Sequence, residues 1–158
     1  MQPDPQRDRF NLRVLLVVSA IGWGMSFFAA FAPWFLVVRW IEAIGGLTPP
    51  DHPMIQYWVR MAGAGFGFIG LFYLRLALRP TNHLHWMRFA SLLNLAVGSV
   101  ILAEALILRL PSSRFRMDTL FCFGCGTGIW IYSGRLLRAD GRDEPAGDHY
   151  PPPIAGKK

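Results

Sequence analysis

Four stretches of this chain, Val14–Val38, Met54–Leu78, Trp86–Leu110 and Thr119–Leu137, are apolar over a length that few folds can accommodate. An α-helix rises ~1.5 Å per residue, so about 20 such residues cover a ~30 Å hydrocarbon core. Soluble buried helices seldom repeat at that length four times. The composition agrees: 53% of residues are hydrophobic and 16% charged, where a soluble domain carries about a quarter charged residues. The expected fold class is all-α, an integral membrane four-helix bundle with spans over 14–38, 54–78, 86–110 and 119–137.

The first stretch also has to be weighed as a cleavable leader. Arg7, Arg9 and Arg13 resemble a basic leader region, and Ala30-Phe31-Ala32 resembles a cleavage site. Pro33 would follow the cut directly, and the apolar run continues through Trp34–Val38. The run is therefore read as a retained span.

Lys and Arg accumulate on the cytoplasmic side of membrane proteins. Arg7, Arg9 and Arg13 precede the first span, and Arg75, Arg79 and Arg88 flank the middle turn. Arg135, Arg138, Arg142, Lys157 and Lys158 follow the last span. These eleven fall on one side, against Arg39, Arg109, Arg114 and Arg116 on the other. Both termini are expected in the cytoplasm, with the protein in a plasma membrane, that of a bacterial inner membrane. The same asymmetry accounts for the net charge of +6 without a nucleic-acid partner, since neither tail interleaves basic and aromatic residues. The expected partners are the lipid bilayer and a membrane protein or a second copy of the chain.

Residues 1–12 are polar and broken by two prolines, and read as a flexible cytoplasmic tail. Residues 139–158 mix both charge signs with Pro and Gly and read as a second, disordered one. Its Pro151-Pro152-Pro153 favours local polyproline II geometry. The connections 45–53, 79–83 and 111–116 are short, leaving no domain outside the spans to carry chemistry. Trp34, Trp40, Tyr57, Trp58, Trp86 and Trp130 gather near span ends, as an interfacial belt would.

Small residues mark close helix contacts in membranes. Gly22, Ser26 and Ala30 align on the first span, Gly63 and Gly67 on the second, Asn94 and Gly98 on the third, and Gly124 and Gly128 on the fourth. Arg60 shares the Gly63/Gly67 face. A charge inside a span usually turns to the bundle interior and finds a partner. Arg60 lies seven residues after Pro53 and Glu104 seven before Pro111, so the two reach a similar depth if their helices run antiparallel. An Arg60–Glu104 ion pair is expected, either fixing helix register or lining an outward-facing polar pocket.

Cys122 and Cys125 have the Cys-x-x-Cys spacing of redox dithiols. Four spans with such a pair resemble the quinone-coupled thiol oxidoreductases of the vitamin K epoxide reductase type, which implies a quinone cofactor. Those enzymes use a second cysteine pair, and this chain has none. His52, His83, His85 and His149 fall outside the expected spans, which disfavours a haem bundle, and no metal or other cofactor is expected. Phosphate-loop, dinucleotide and zinc-protease motifs are lacking.

The run FAPWF, its Pro-rich loop and YWVRMAGAGFGFIGLFYLRLALRP are similar to small four-span bacterial membrane proteins of the BphX-like kind, whose activity is unassigned. The resemblance implies an integral membrane protein and no particular chemistry. A structural or accessory, non-enzymatic role is thus the first expectation. A thiol oxidoreductase and a small-solute or proton-linked carrier are the alternatives.

Overall fold

The computed structural model describes residues 5–45 and 48–139, and all regular structure among them is helical. Helix α1 spans Pro5–Gly24, α2 Phe27–Phe31, α3 Trp34–Gly45, α4 Pro53–Leu78, α5 Leu84–Ile107 and α6 Ser112–Ala139, with a 3₁₀ turn at Pro80–His83. Three units are long and apolar enough to cross a membrane: Gln6–Phe31, Pro53–Leu78 and Leu84–Ile107. Helix α6 has the length, but its glycines, Asp118 and Arg135 make it less apolar.

The first span differs from expectation at both ends. Residues 5–12, expected as tail, are the start of α1, with Pro5 at its first position, where its missing N–H costs nothing. Leu12 is fully buried. Asp8, in the first turn, is 5% exposed and lies 3.6 Å from Arg135 of α6, its charge favourably placed near a helix N-terminus. The expected run through Val38 is broken earlier. Across Met25–Ser26 the helix tightens, with Ser26 N bonding Trp23 O and Phe28 N bonding Met25 O, and α2 continues the line. Ala32 is then extended, at φ −69° and ψ 153°, as a residue before proline must often be. Pro33 restarts the chain as α3, whose 12 residues reach only ~18 Å.

The turn into α4 uses His52 as its N-cap, Nδ1 accepting from Met54 N at 3.2 Å, with Pro53 next. The exit from α5 is a Schellman closure: Arg109 N bonds Leu106 O and Leu110 N bonds Ala105 O. This closure needs a left-handed residue, and Arg109 supplies it at φ 51°. A Cβ there is strained by roughly 1 kcal/mol. Arg109→Gly is accordingly expected to raise stability by about 1 kcal/mol, read as a higher thermal midpoint in detergent.

The helices pack as two pairs, α1 with α4 and α5 with α6, joined where α1 lies against α6. Helices α4 and α5 are consecutive but make few close approaches. Backbone approach between α1–α2 and α4 runs along Gly63, Gly67 and Gly70. A Cβ on Gly63 would lie 2.7 Å from Ser26 O, and one on Gly70 2.4 Å from Gly24 N. Of the other expected contact residues, Gly22 faces Phe121, Gly98 faces the Cys122 Cβ and Gly128 faces Leu15. Gly124 does not belong with them. It has nothing within 4 Å of its would-be Cβ, because α6 turns Cys122, Cys125 and Ile129 to the core instead.

The interior is largely apolar but takes in several polar side chains, and the surface is apolar as well. Ser19, Ser91, Asn94 and Ser133 are fully buried, while Phe31, Trp58, Phe68, Ile107 and Met117 are more than half exposed. Only 28–33% of the most apolar window in each of the three long units is buried.

Candidate functional site

Arg60 is where the sequence reading and the structure part most clearly. Its guanidinium donates from Nη1 to Ala30 O at 2.8 Å and from Nη2 to Ala32 O at 3.2 Å. Those carbonyls belong to the end of α2, where Pro33 lacks an N–H and the extended Ala32 ends the helix, leaving its last acceptors without helical partners. The glycine face of α4 brings the two backbones close enough for the side chain to reach. Arg60 therefore closes a break in a neighbouring helix.

The expected Arg60–Glu104 pair is not formed. Glu104 is exposed on α5, a helix that α4 barely approaches. Equal depth places the two charges level but on different sides of the bundle.

A cavity of about 900 Å³ does exist elsewhere, between α1, α3, α5 and α6, with Phe66 of α4 completing one wall. Its walls are apolar: Val97, Val100 and Ile101 come from α5 and Phe121 from α6, and Trp40, Ile41 and Ile44 of α3 lie over it. Position along each helix separates its two ends. Asp118 stands six residues into α6 and Ser26 just past the end of α1. Cys122 and Trp23 lie about one turn further into the bundle, ~6 Å along their helices.

Trp23 is fixed on three sides. Its Nε1 donates to Asn94 Oδ1 at 2.9 Å, Phe66 packs against it at 5.3 Å between ring centroids, and Phe121 meets it edge-on at 6.2 Å. A tryptophan N–H buried without an acceptor would be costly, so Asn94 is better described as the residue that orients Trp23 than as one more small contact. Two further bonds tie the core together: Tyr73 Oη donates to Ala90 O, and Ser91 Oγ donates to Gly126 O at 2.6 Å. Helix α3 is held near its middle by Trp40 against Phe28, 5.8 Å between centroids, and toward its end by Thr48 Oγ1 donating to Glu42 Oε1 at 2.6 Å.

Cys122 and Cys125 are free thiols, and both are buried. Cys122 borders the cavity, against Gly98 of α5. His52 caps α4, His83 ends the 3₁₀ turn and His85 opens α5. His149, the Pro151–Pro153 run and residues 140–158 lie outside the described residues. Among the described residues, no three His, Cys, Asp or Glu side chains converge on one point.

The cavity and its α3 cover do not follow from a single uninterrupted span over 14–38, which runs through Pro33. The signal was present: proline inside an apolar run, followed by Trp, Leu, Val and Ile with Arg39 and Glu42 between them, marks an amphipathic restart. Comparison of the chain with protein-family models, characterised proteins and solved structures finds no match.

Proposed function

We propose that this is a four-span plasma-membrane protein with a structural or accessory, non-enzymatic role, α6 serving as the fourth span. The observation that carries this reading is the outward-facing apolar surface. Phe, Trp, Leu and Ile face outward along helices of membrane-spanning length, around a core of Leu, Tyr, Met and Ile that also takes in Ser19, Ser91, Asn94 and Ser133. A water-facing surface of that kind would aggregate. In lipid it costs nothing, and helix association runs on small residues and hydrogen bonds such as Ser91 to Gly126. The Lys and Arg bias supports a cytoplasmic position for both termini. Asp8 and Arg135 then pair at that end, and α3 lies at the opposite face. The role is exercised with a membrane-protein partner or a second copy, through the outward apolar faces. This fits the resemblance to BphX-like four-span proteins.

The test is direct. Alkaline carbonate is expected to leave the protein in the membrane, and reporter fusions at residue 158 and in the 46–52 connection should report opposite sides. Release by carbonate, or reporters on one side, overturns the reading.

A thiol oxidoreductase is the second reading, favoured by Cys122 bordering an apolar cavity that a quinone ring would suit. Its turnover would convert the two thiols to a disulfide while two electrons and two protons reduce quinone to quinol. Cys122→Ser and Cys125→Ser separate the readings. The accessory role expects each variant to be retained in the membrane and to cross-link to the same neighbours as the parent. Quinone-dependent disulfide formation in the parent, lost in each variant, would favour the enzyme.

A further inference from the structure

We infer that the cavity beneath α3 holds one hydrocarbon chain of a bilayer lipid, its tail toward Trp23 and Cys122 and its polar end toward Asp118 and Ser26. The inference rests on the membrane reading above and adds a ligand site to it.

Three observations select an acyl chain over a polar metabolite. The walls from α5 and α3 offer only aliphatic and aromatic surface. The one indole N–H at the deep end is already spent on Asn94 Oδ1, so a polar group brought there would lose its water and gain no acceptor or donor from Trp23. Asp118 and Ser26 of the lining both lie toward the outer end, which gives the cavity the same polarity gradient as a lipid.

Size and access agree. About 900 Å³ lies within the roughly 300–1,000 Å³ of ordinary ligand pockets. The rim includes Met25 and Val100, both turned outward, so the space is continuous with the apolar mantle from which a chain would enter. Helix α3 is the element that distinguishes this space from an ordinary lipid-facing groove. Trp40, Ile41 and Ile44 cover it from above, and Pro33 sets the turn that puts them there.

The experiment uses the full chain in vesicles of phosphatidylethanolamine and phosphatidylglycerol, with a trace of phosphatidylcholine carrying a diazirine midway along one acyl chain. After illumination, adducts are mapped by peptide mass spectrometry. Adducts are expected to concentrate on Val97–Ile101 and Phe121–Cys122 over the open outer-face residues Phe68 and Leu71. Val97→Trp, which fills the space, should cut the cavity adducts by about tenfold or more, the equivalent of one decade in occupancy, while Phe68 and Leu71 label as before. Ile41→Ala, which thins the cover without touching the bundle core, should lower them too, so the inference stays testable if Val97→Trp misfolds. Labelling of the cavity segments no stronger than that of Phe68 and Leu71, or unchanged in both variants, overturns it. Such a result in protein that resists carbonate extraction overturns the cavity site alone, whereas release by carbonate overturns the membrane reading itself.

Discussion

Gly70→Ala is expected to destabilise the folded protein by about 3 kcal/mol, the upper part of the range for overpacking, with a matching fall in thermal midpoint in detergent. A Cβ at this position would lie 2.4 Å from Gly24 N, 2.6 Å from Gly24 Cα and 2.9 Å from Ala20 O. All three are main-chain atoms, so no rotamer change relieves the contact, and α1 and α4 would have to separate. Gly67→Ala meets the Phe27 ring at 2.4 Å, a side chain that can turn, and its loss should be smaller. Gly65→Ala meets nothing within 4 Å and should gain about 0.5–1 kcal/mol from helix propensity. Equal midpoints for the three variants would mean that α1 and α4 do not meet through this face.

Arg60→Met should cost about 3 kcal/mol, since it leaves Ala30 O and Ala32 O without their charged donor at a part-buried helix end, and bonds to charged groups contribute about 1.5–3 kcal/mol each. Part of the gross loss is offset because a guanidinium no longer has to be desolvated. Arg60→Lys keeps the charge but not the two-pronged geometry, and should recover less than half. Glu104→Gln, on an exposed face, should change stability by no more than about 0.5 kcal/mol. An equal loss for Arg60→Met and Glu104→Gln, measured as thermal midpoints, would restore the ion pair and refute the carbonyl contact.

Much of the helical architecture was legible because its determinants are local. Apolar length marks α4 and α5, and small residues at helical spacing mark the α4 face at Gly63 and Gly67. What the sequence hid was adjacency. Depth along a helix follows from counting residues, and by that measure Arg60 and Glu104 are level. Which helix stands beside which does not follow from it, and α4 pairs with α1 rather than with its successor α5. The same blindness hid Trp23 and Asn94, seventy-one positions apart, and Asp8 with Arg135. Gly124 fell to a different ambiguity. On a helix carrying four glycines, Gly124, Gly126, Gly128 and Gly134, together with Ser133, spacing alone offers several stripes, and burial of Cys122, Cys125 and Ile129 selects one.

The pairing of α1 with α4 and of α5 with α6 has a consequence for how the chain is made. Translation delivers α1 first and α6 last, yet α6 is the helix that joins α5 to α1. Until it emerges, Asp8 lacks Arg135 and α5 has no broad surface to settle on. A nascent chain stalled after Ile107 would hold one finished pair and one orphan helix, with the side of α5 that α6 covers left open.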